Sequence, residues 1–303
     1  MSKKTLMLVA SAIISVFIFN SCKDESHKNQ INKEGSKTVS RELLDPNRSF
    51  NTTFGGKLFS IPSPIQTSLL IKSLSLDFNE DLLNHVDHVK NYNTATTQAI
   101  NLGVFGADLG YIAIYEQNSK LFNYLSTVED LSAKLGIVNA FDQSFIERYE
   151  RSNSNKDSLL VFLADGFRRA DNFLKENDQA NTSALILTGG WLESMYFATQ
   201  LYQKSKNEQI LSRIGEQKQS LETILELIEK YNYNGQNDEY ITLFSALKSL
   251  FSEIKTSYVY VESQTDDARK LTTIKSKMKI EISEELANKI IDKIAETRAQ
   301  IIL

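Results

Sequence analysis

Two carboxylates stand where carboxylates are costly. Asp108 is the one charge between Leu102 and Tyr115, and Glu193 is the one charge between Ala184 and Tyr202. Both stretches are apolar almost all the way round if helical, so they belong inside a fold rather than on its surface. A carboxylate there must be hydrogen-bonded, paired with a base, or protonated. The functional reading gives the two acids a shared cleft lined by Tyr111, Tyr115, Trp191 and Tyr196, where they contact a polar ligand. The structural reading pairs each acid with buried donors or a base, Arg168 and Arg169 being nearest in character. Breaking such a pair costs about 3–5 kcal/mol, which accounts for the acids without any ligand.

Other chemistry is thinner. His85 and His88 are spaced i, i+3 with Asp87 between them. That spacing puts two ring nitrogens on one helical face, but no third ligand is near in sequence, so no metal is assigned. The paired Glu-x-x-His motifs of a di-iron bundle do not occur. Neither a P-loop, nor G-x-S-x-G, nor a glycine fingerprint after a strand is present, so no catalytic residue and no cofactor is assigned. The single tryptophan and the twelve tyrosines read as core rather than as a platform for stacking sugars.

The elements that must position these residues are helices. All three prolines, Pro46, Pro62 and Pro64, precede residue 65, and proline is the strongest breaker of a helix interior. The rest of the chain carries apolar residues at three- and four-residue spacing, which predicts an all-α body: a multi-helix bundle around two buried central helices, 102–115 and 184–202. Gly103, Gly106 and Gly110 share one side of the first, and Gly189-Gly190 notches the second, so close backbone approach is expected there. A shift of 85 residues lays Leu102 on Leu187, Asp108 on Glu193 and Tyr111 on Tyr196, which hints at two related helix hairpins. Around these, helices are expected from Pro64 to about Leu76, 79–89, 120–135, 140–151, 157–177, 208–231, 238–260 and 283–301. The region 264–280 has some strand character.

The first 49 residues read differently. Lys3 and Lys4 precede an apolar run, Thr5–Phe19, too short for a comfortable membrane span. The run ends at Ile18-Phe19-Asn20-Ser21-Cys22, the pattern of a lipoprotein signal peptide over 1–21 with Cys22, the only cysteine, as the lipidated residue. Two or more acyl chains would give stable attachment. Lys23-Asp24-Glu25 fits an export signal to the outer face of the outer membrane. Residues 22–49, rich in Lys, Asn, Ser and Glu, read as a disordered tether, and 50–303 as a single helical domain. The net charge of −4 becomes −6 without Lys3 and Lys4, and no basic stripe is present, so nucleic acid is not an expected partner.

The segments IPSPIQTSLLIKSL (61–74), INLGVFGADLGY (100–111) and LTGGWLESMYFATQLY (187–202) resemble a group of Bacteroidota outer-membrane lipoproteins, over most of 50–303. The resemblance implies a helical fold and an envelope location; it brings no activity and no site residues. The expectation is a lipid-anchored cell-envelope protein with a helical binding or scaffolding domain, whose partners are the membrane and another envelope protein or a small ligand. The alternative is a small-ligand-binding protein or enzyme working through the Asp108/Glu193 cleft.

Overall fold

The computed structural model describes residues 50–54, 57–61, 64–140, 147, 156–266, 270–273 and 277–303, all within one compact unit, 40–303. The expected signal peptide, Cys22, the expected tether, the Gly55-Gly56 turn and nearly all of the helix expected over 140–151 lie outside the described residues.

The unit is an all-α bundle. In chain order its helices are α1 (Pro64–Ser73), α2 (Ala95–Ile114), α3 (Asn118–Lys134), α4 (Lys156–Glu176), α5 (Ala180–Ser205), α6 (Glu208–Glu216), α7 (Lys218–Lys230), α8 (Asp238–Ser252) and α9 (Glu284–Ile302). Helices α2 and α5 are the hub. Every residue from Ala99 to Ile114 is buried, and most of α5 is too. Helix α2 starts at a reciprocal cap: Thr94 Oγ1 accepts the Thr97 amide and Thr97 Oγ1 accepts the Thr94 amide, each at 3.1 Å. Helix α3 folds back on α2, α4 bridges α2 and α5, α1 lies across both, α6 and α7 cover α5, and α9 closes the bundle against α5, α8 and α2.

The hub helices run side by side in the same direction, and glycine sets their separation. A Cβ on Gly103 would strike the Ile186 carbonyl oxygen, and one on Gly189 would strike the Ile100 carbonyl oxygen. Each helix therefore inserts a carbonyl of its own into the notch of the other. The contacts join Gly103 to Ile186 and Ile100 to Gly189, 83 and 89 residues apart and so centred on 86, one more than the sequence echo suggests. Tyr111 and Phe197 follow the same register, their ring centroids 4.8 Å apart. The other two glycines of α2 admit side chains instead: Gly106 takes the Phe167 ring and Gly110 takes Ile65.

Three expected helices differ. Residues 79–89 form two 3₁₀ turns, Glu80–Leu82 and Val86–Asn91, opened by side-chain caps from Asn79 and His85. These local bonds compete with a continuous helix. The single helix expected over 208–231 breaks at Gln217 into α6 and α7. The helix after Asp238 stops at Ser252, and the chain enters a strand ribbon. In that ribbon β3 (Lys255–Val259) pairs antiparallel with β6 (Lys277–Glu281), and β4 (Gln264–Asp266) with β5 (Leu271–Thr273). β1 (Phe50–Phe54) and β2 (Lys57–Ile61) form a separate hairpin.

Candidate functional site

Glu193 projects from the middle of α5 and is fully buried. Its partner comes from the opposite end of the sequence. The inward row of α9, Ile290 and Ile294, continues at the next i+4 step to Arg298, so a cation rides an apolar face into the core. Arg298 Nε donates to Glu193 Oε2 and Nη2 donates to Oε1, both at 2.6 Å, the two-pronged geometry that suits a guanidinium to a carboxylate. Nη2 also donates to the Leu82 carbonyl at 2.9 Å, and the guanidinium carbon lies 4.0 Å from the centroid of the Tyr196 ring. Burial works against the Arg298 charge, but the Glu193 carboxylate more than offsets it and the guanidinium stays protonated.

Asp108 projects from α2 beside this pair, also fully buried. Its Oδ2 accepts the Asn84 backbone amide at 3.3 Å, and no donor reaches Oδ1. The neighbouring polar group is the Glu193 carboxylate, itself an acceptor. Contact between them becomes a hydrogen bond only if Asp108 carries a proton. Burial first, and the Glu193 charge second, push the Asp108 carboxyl well above the usual carboxylate range, and Arg298 offsets only part of this. With the proton on Asp108, the Glu193–Arg298 ion pair leaves the centre electrically balanced.

Asn84, in the loop between the two 3₁₀ turns, ties the centre together with all four of its polar groups. Its amide serves Asp108. Its carbonyl accepts the Tyr124 hydroxyl at 2.9 Å, its Nδ2 donates to Tyr92 Oη at 3.1 Å, and its Oδ1 accepts the His88 Nδ1–H at 2.7 Å. Tyr92 passes the chain on, donating to the Ile302 carbonyl at 3.0 Å, while Asn101 Nδ2 donates to the Ile301 carbonyl at 3.0 Å. Burial pushes the Tyr92 hydroxyl up to about 12 and raises that of Tyr124 as well, so both remain donors. Burial and the charges of His85 and Arg298 lower the His88 imidazole, which stays neutral at neutral pH.

The sequence candidates separate into three places. Asp108 and Glu193 meet, and Tyr196 joins them through Arg298. Tyr111 and Tyr115 instead stack with Phe78 and Phe197 at the far end of α2; Tyr111 Oη accepts the Asn79 amide at 3.1 Å and Tyr115 donates to the Leu76 carbonyl at 2.6 Å. Trp191 faces away, between Phe244 and Phe251, with Nε1 donating to Gln217 at 3.3 Å. These side chains do not share one cleft. The base that meets Glu193 is Arg298, not Arg168 or Arg169, which pair with Asp165 on their own helix at 2.5 and 3.2 Å. His85 is exposed and bonds the Asp87 amide, and its ring lies 6.1 Å from that of His88. Among the described residues no group of three or more His, Cys, Asp or Glu is placed to hold a metal ion, and no helix is long and apolar enough to cross a membrane.

Sequence reasoning missed Arg298, although the i+4 row of Ile290 and Ile294 reaches it at the next step. Asn84, flanked by Leu82, Leu83 and Val86 in a segment that reads as helix, gave no such signal. Compared with known proteins, the chain matches no family model, no curated protein and no solved structure.

Proposed function

We propose that this chain is a lipid-anchored cell-envelope protein whose helical domain is a non-catalytic binding or scaffolding module, moored through Cys22. The observation that carries the non-catalytic part is the closed acidic centre. Both carboxyls are fully buried, Glu193 is taken up by Arg298, and Asp108 is bonded to Asn84. General acid–base work needs a proton donor or acceptor within reach of a substrate, and these groups face only protein. The anchoring part is supported by the apolar run over Thr5–Phe19 and the position of the sole cysteine.

Cys22→Ser tests the anchor. The variant is expected to leave the membrane fraction and to lose the mass of the acyl chains; unchanged fractionation and mass would refute lipidation. For the centre, thermal shift against glycans, peptides and metals is run on wild type and Asp108→Asn. Ligand responses should be the same in both. A ligand whose effect vanishes in a well-folded Asp108→Asn would replace this reading with a small-ligand or enzyme site at the two acids.

A further inference from the structure

A groove of about 530 Å³ opens at the N-terminal ends of α2 and α5. It shares no lining residue with the Asp108–Glu193–Arg298 centre. Its size falls within the roughly 300–1,000 Å³ of small-molecule sites.

One wall is aromatic. Tyr231 and Tyr233, in the connection between α7 and α8, meet edge to face at 6.5 Å, and Tyr233 is 62% exposed. These tyrosines depart from the expectation that such residues fill the core. The wall is fixed in place. Asn234 and Gly235 hold left-handed backbone, φ 56° and 76°. The Asn237 amide donates to Asn232 Oδ1 at 2.8 Å, and Asn232 Nδ2 donates to Asp238 at 2.6 Å. Asn237, fully buried, donates through Nδ2 both to Oδ1 of the groove-lining Asn181 at 2.7 Å and to the Ile228 carbonyl at 2.9 Å. A rigid loop therefore presents a large ring to water in a conformation set before any ligand arrives, which lowers the ordering cost of binding.

The rest of the lining is largely polar, and besides carboxamides and hydroxyls it carries one exposed carboxylate, Asp178, which can accept hydroxyls but disfavours an anion. Gln179, which makes no side-chain cap bond to α5, stands there with Thr182, and Gln236 closes one end. Lys175 also lines the groove, but its ammonium is bonded to Asp171 Oδ2 at 2.6 Å, and burial lowers its pKa despite that partner. An inorganic anion thus finds its cation already engaged and a carboxylate beside it, and a purely apolar ligand would leave the carboxamides, the threonine hydroxyls and Asp178 without partners. A pyranose ring suits both sides. Its C–H face packs on an aromatic ring, and its rim of hydroxyls both donates and accepts, as carboxamides and a threonine hydroxyl do.

We propose that this groove binds a neutral pyranose saccharide, with Tyr233 as the stacking platform and Gln179, Thr182 and Gln236 as hydroxyl partners. The assignment deepens the binding half of the function proposed above and is independent of the anchor. Failure of sugar to bind overturns the groove assignment alone, while the Cys22→Ser fractionation still reads the anchor.

The test is titration calorimetry of the full chain with galactose, N-acetylglucosamine and maltose, with inorganic phosphate as the contrasting probe. At least one sugar is expected to bind with Kd on the order of 1 mM or tighter. Tyr233→Ala should weaken it at least about fivefold through lost stacking, with the unfolding midpoint unchanged because the ring is largely exposed. Gln179→Ala, on the opposite wall, should weaken it about threefold or more. No heat from any of the three sugars, equal affinity in both variants, or phosphate binding more tightly than every sugar would overturn the proposal.

Discussion

The proton on Asp108 can be read out through stability. In Asp108→Asn the carboxamide keeps the side chain's shape: Oδ1 still accepts the Asn84 amide, and Nδ2 donates to Glu193 as the protonated carboxyl does. What changes is the link to pH. In the wild type Asp108 keeps its proton on folding, whereas the unfolded chain releases it above the ordinary aspartate value of about 3.9. A native pKa raised above the unfolded one contributes stability that is complete below the unfolded value and is lost as pH rises towards the native one. Above about pH 4 the wild type should therefore fall behind the variant by about 1.4 kcal/mol for every pH unit, until Asp108 ionises. Two pH units over which Asp108 stays protonated would open a gap of about 3 kcal/mol, a large share of the 5–15 kcal/mol that holds an ordinary domain together. Urea unfolding of both proteins at pH 5, 6, 7 and 8 gives the difference directly, and the surface carboxylates common to both cancel. A difference that stays flat from pH 5 to 8 means that Asp108 is already ionised in the native state, its pKa ordinary or lowered, and refutes the balanced centre of one neutral acid, one carboxylate and one guanidinium.

Arg298→Met should cost about 3–5 kcal/mol in urea unfolding, because it leaves Glu193 buried and uncompensated; adding Glu193→Leu should recover most of the loss, and a double variant no better than the single would contradict the pairing. Gly189→Ala drives a methyl into the Ile100 carbonyl, which belongs to a packed helix backbone, and should cost about 3 kcal/mol or more; Gly106→Ala meets only the Phe167 ring, which can turn aside, and should cost clearly less, so equal losses would dispose of the notch as the spacer of the hub. In an NMR titration the His88 imidazole should change charge below the ordinary histidine value of about 6.5. Because its native value is lowered, the stability it contributes is present above that pH and is lost as pH falls; a titration above about 6.5 would refute the account in which burial and the charges of His85 and Arg298 disfavour the cation.

The hub was legible because it is an extreme of composition. A run such as Leu102–Tyr115 with one charge leaves little choice but burial, and glycines within it require a close neighbour. Which neighbour was not legible. Gly103 meets backbone and Gly106 meets a ring, a distinction set by the crossing geometry and not by the glycines themselves. The same limit holds at the centre. That Asp108 and Glu193 needed partners follows from desolvation alone, but a search along the chain for a nearby base finds Arg168 and Arg169, whereas the pair forms with a residue 105 positions from Glu193. Asn84 was hidden because its role lies in backbone and side chain together, within two 3₁₀ turns whose capping by Asn79 and His85 displaces the helix that local periodicity suggests. The Tyr231–Tyr233 wall was hidden because tyrosine is amphipathic, and sequence does not say which tyrosines stay in water.

The bond from Arg298 to the Leu82 carbonyl joins residues 216 positions apart, and those from Tyr92 and Asn101 to α9 span 210 and 200. Closing loops of such length is entropically costly and slows folding. Without α9, Glu193 would have no counter-ion, and burying it would cost several kcal/mol. The final helix therefore acts as a latch on the hub: the two central helices gain their full stability only with the last turns of the chain in place.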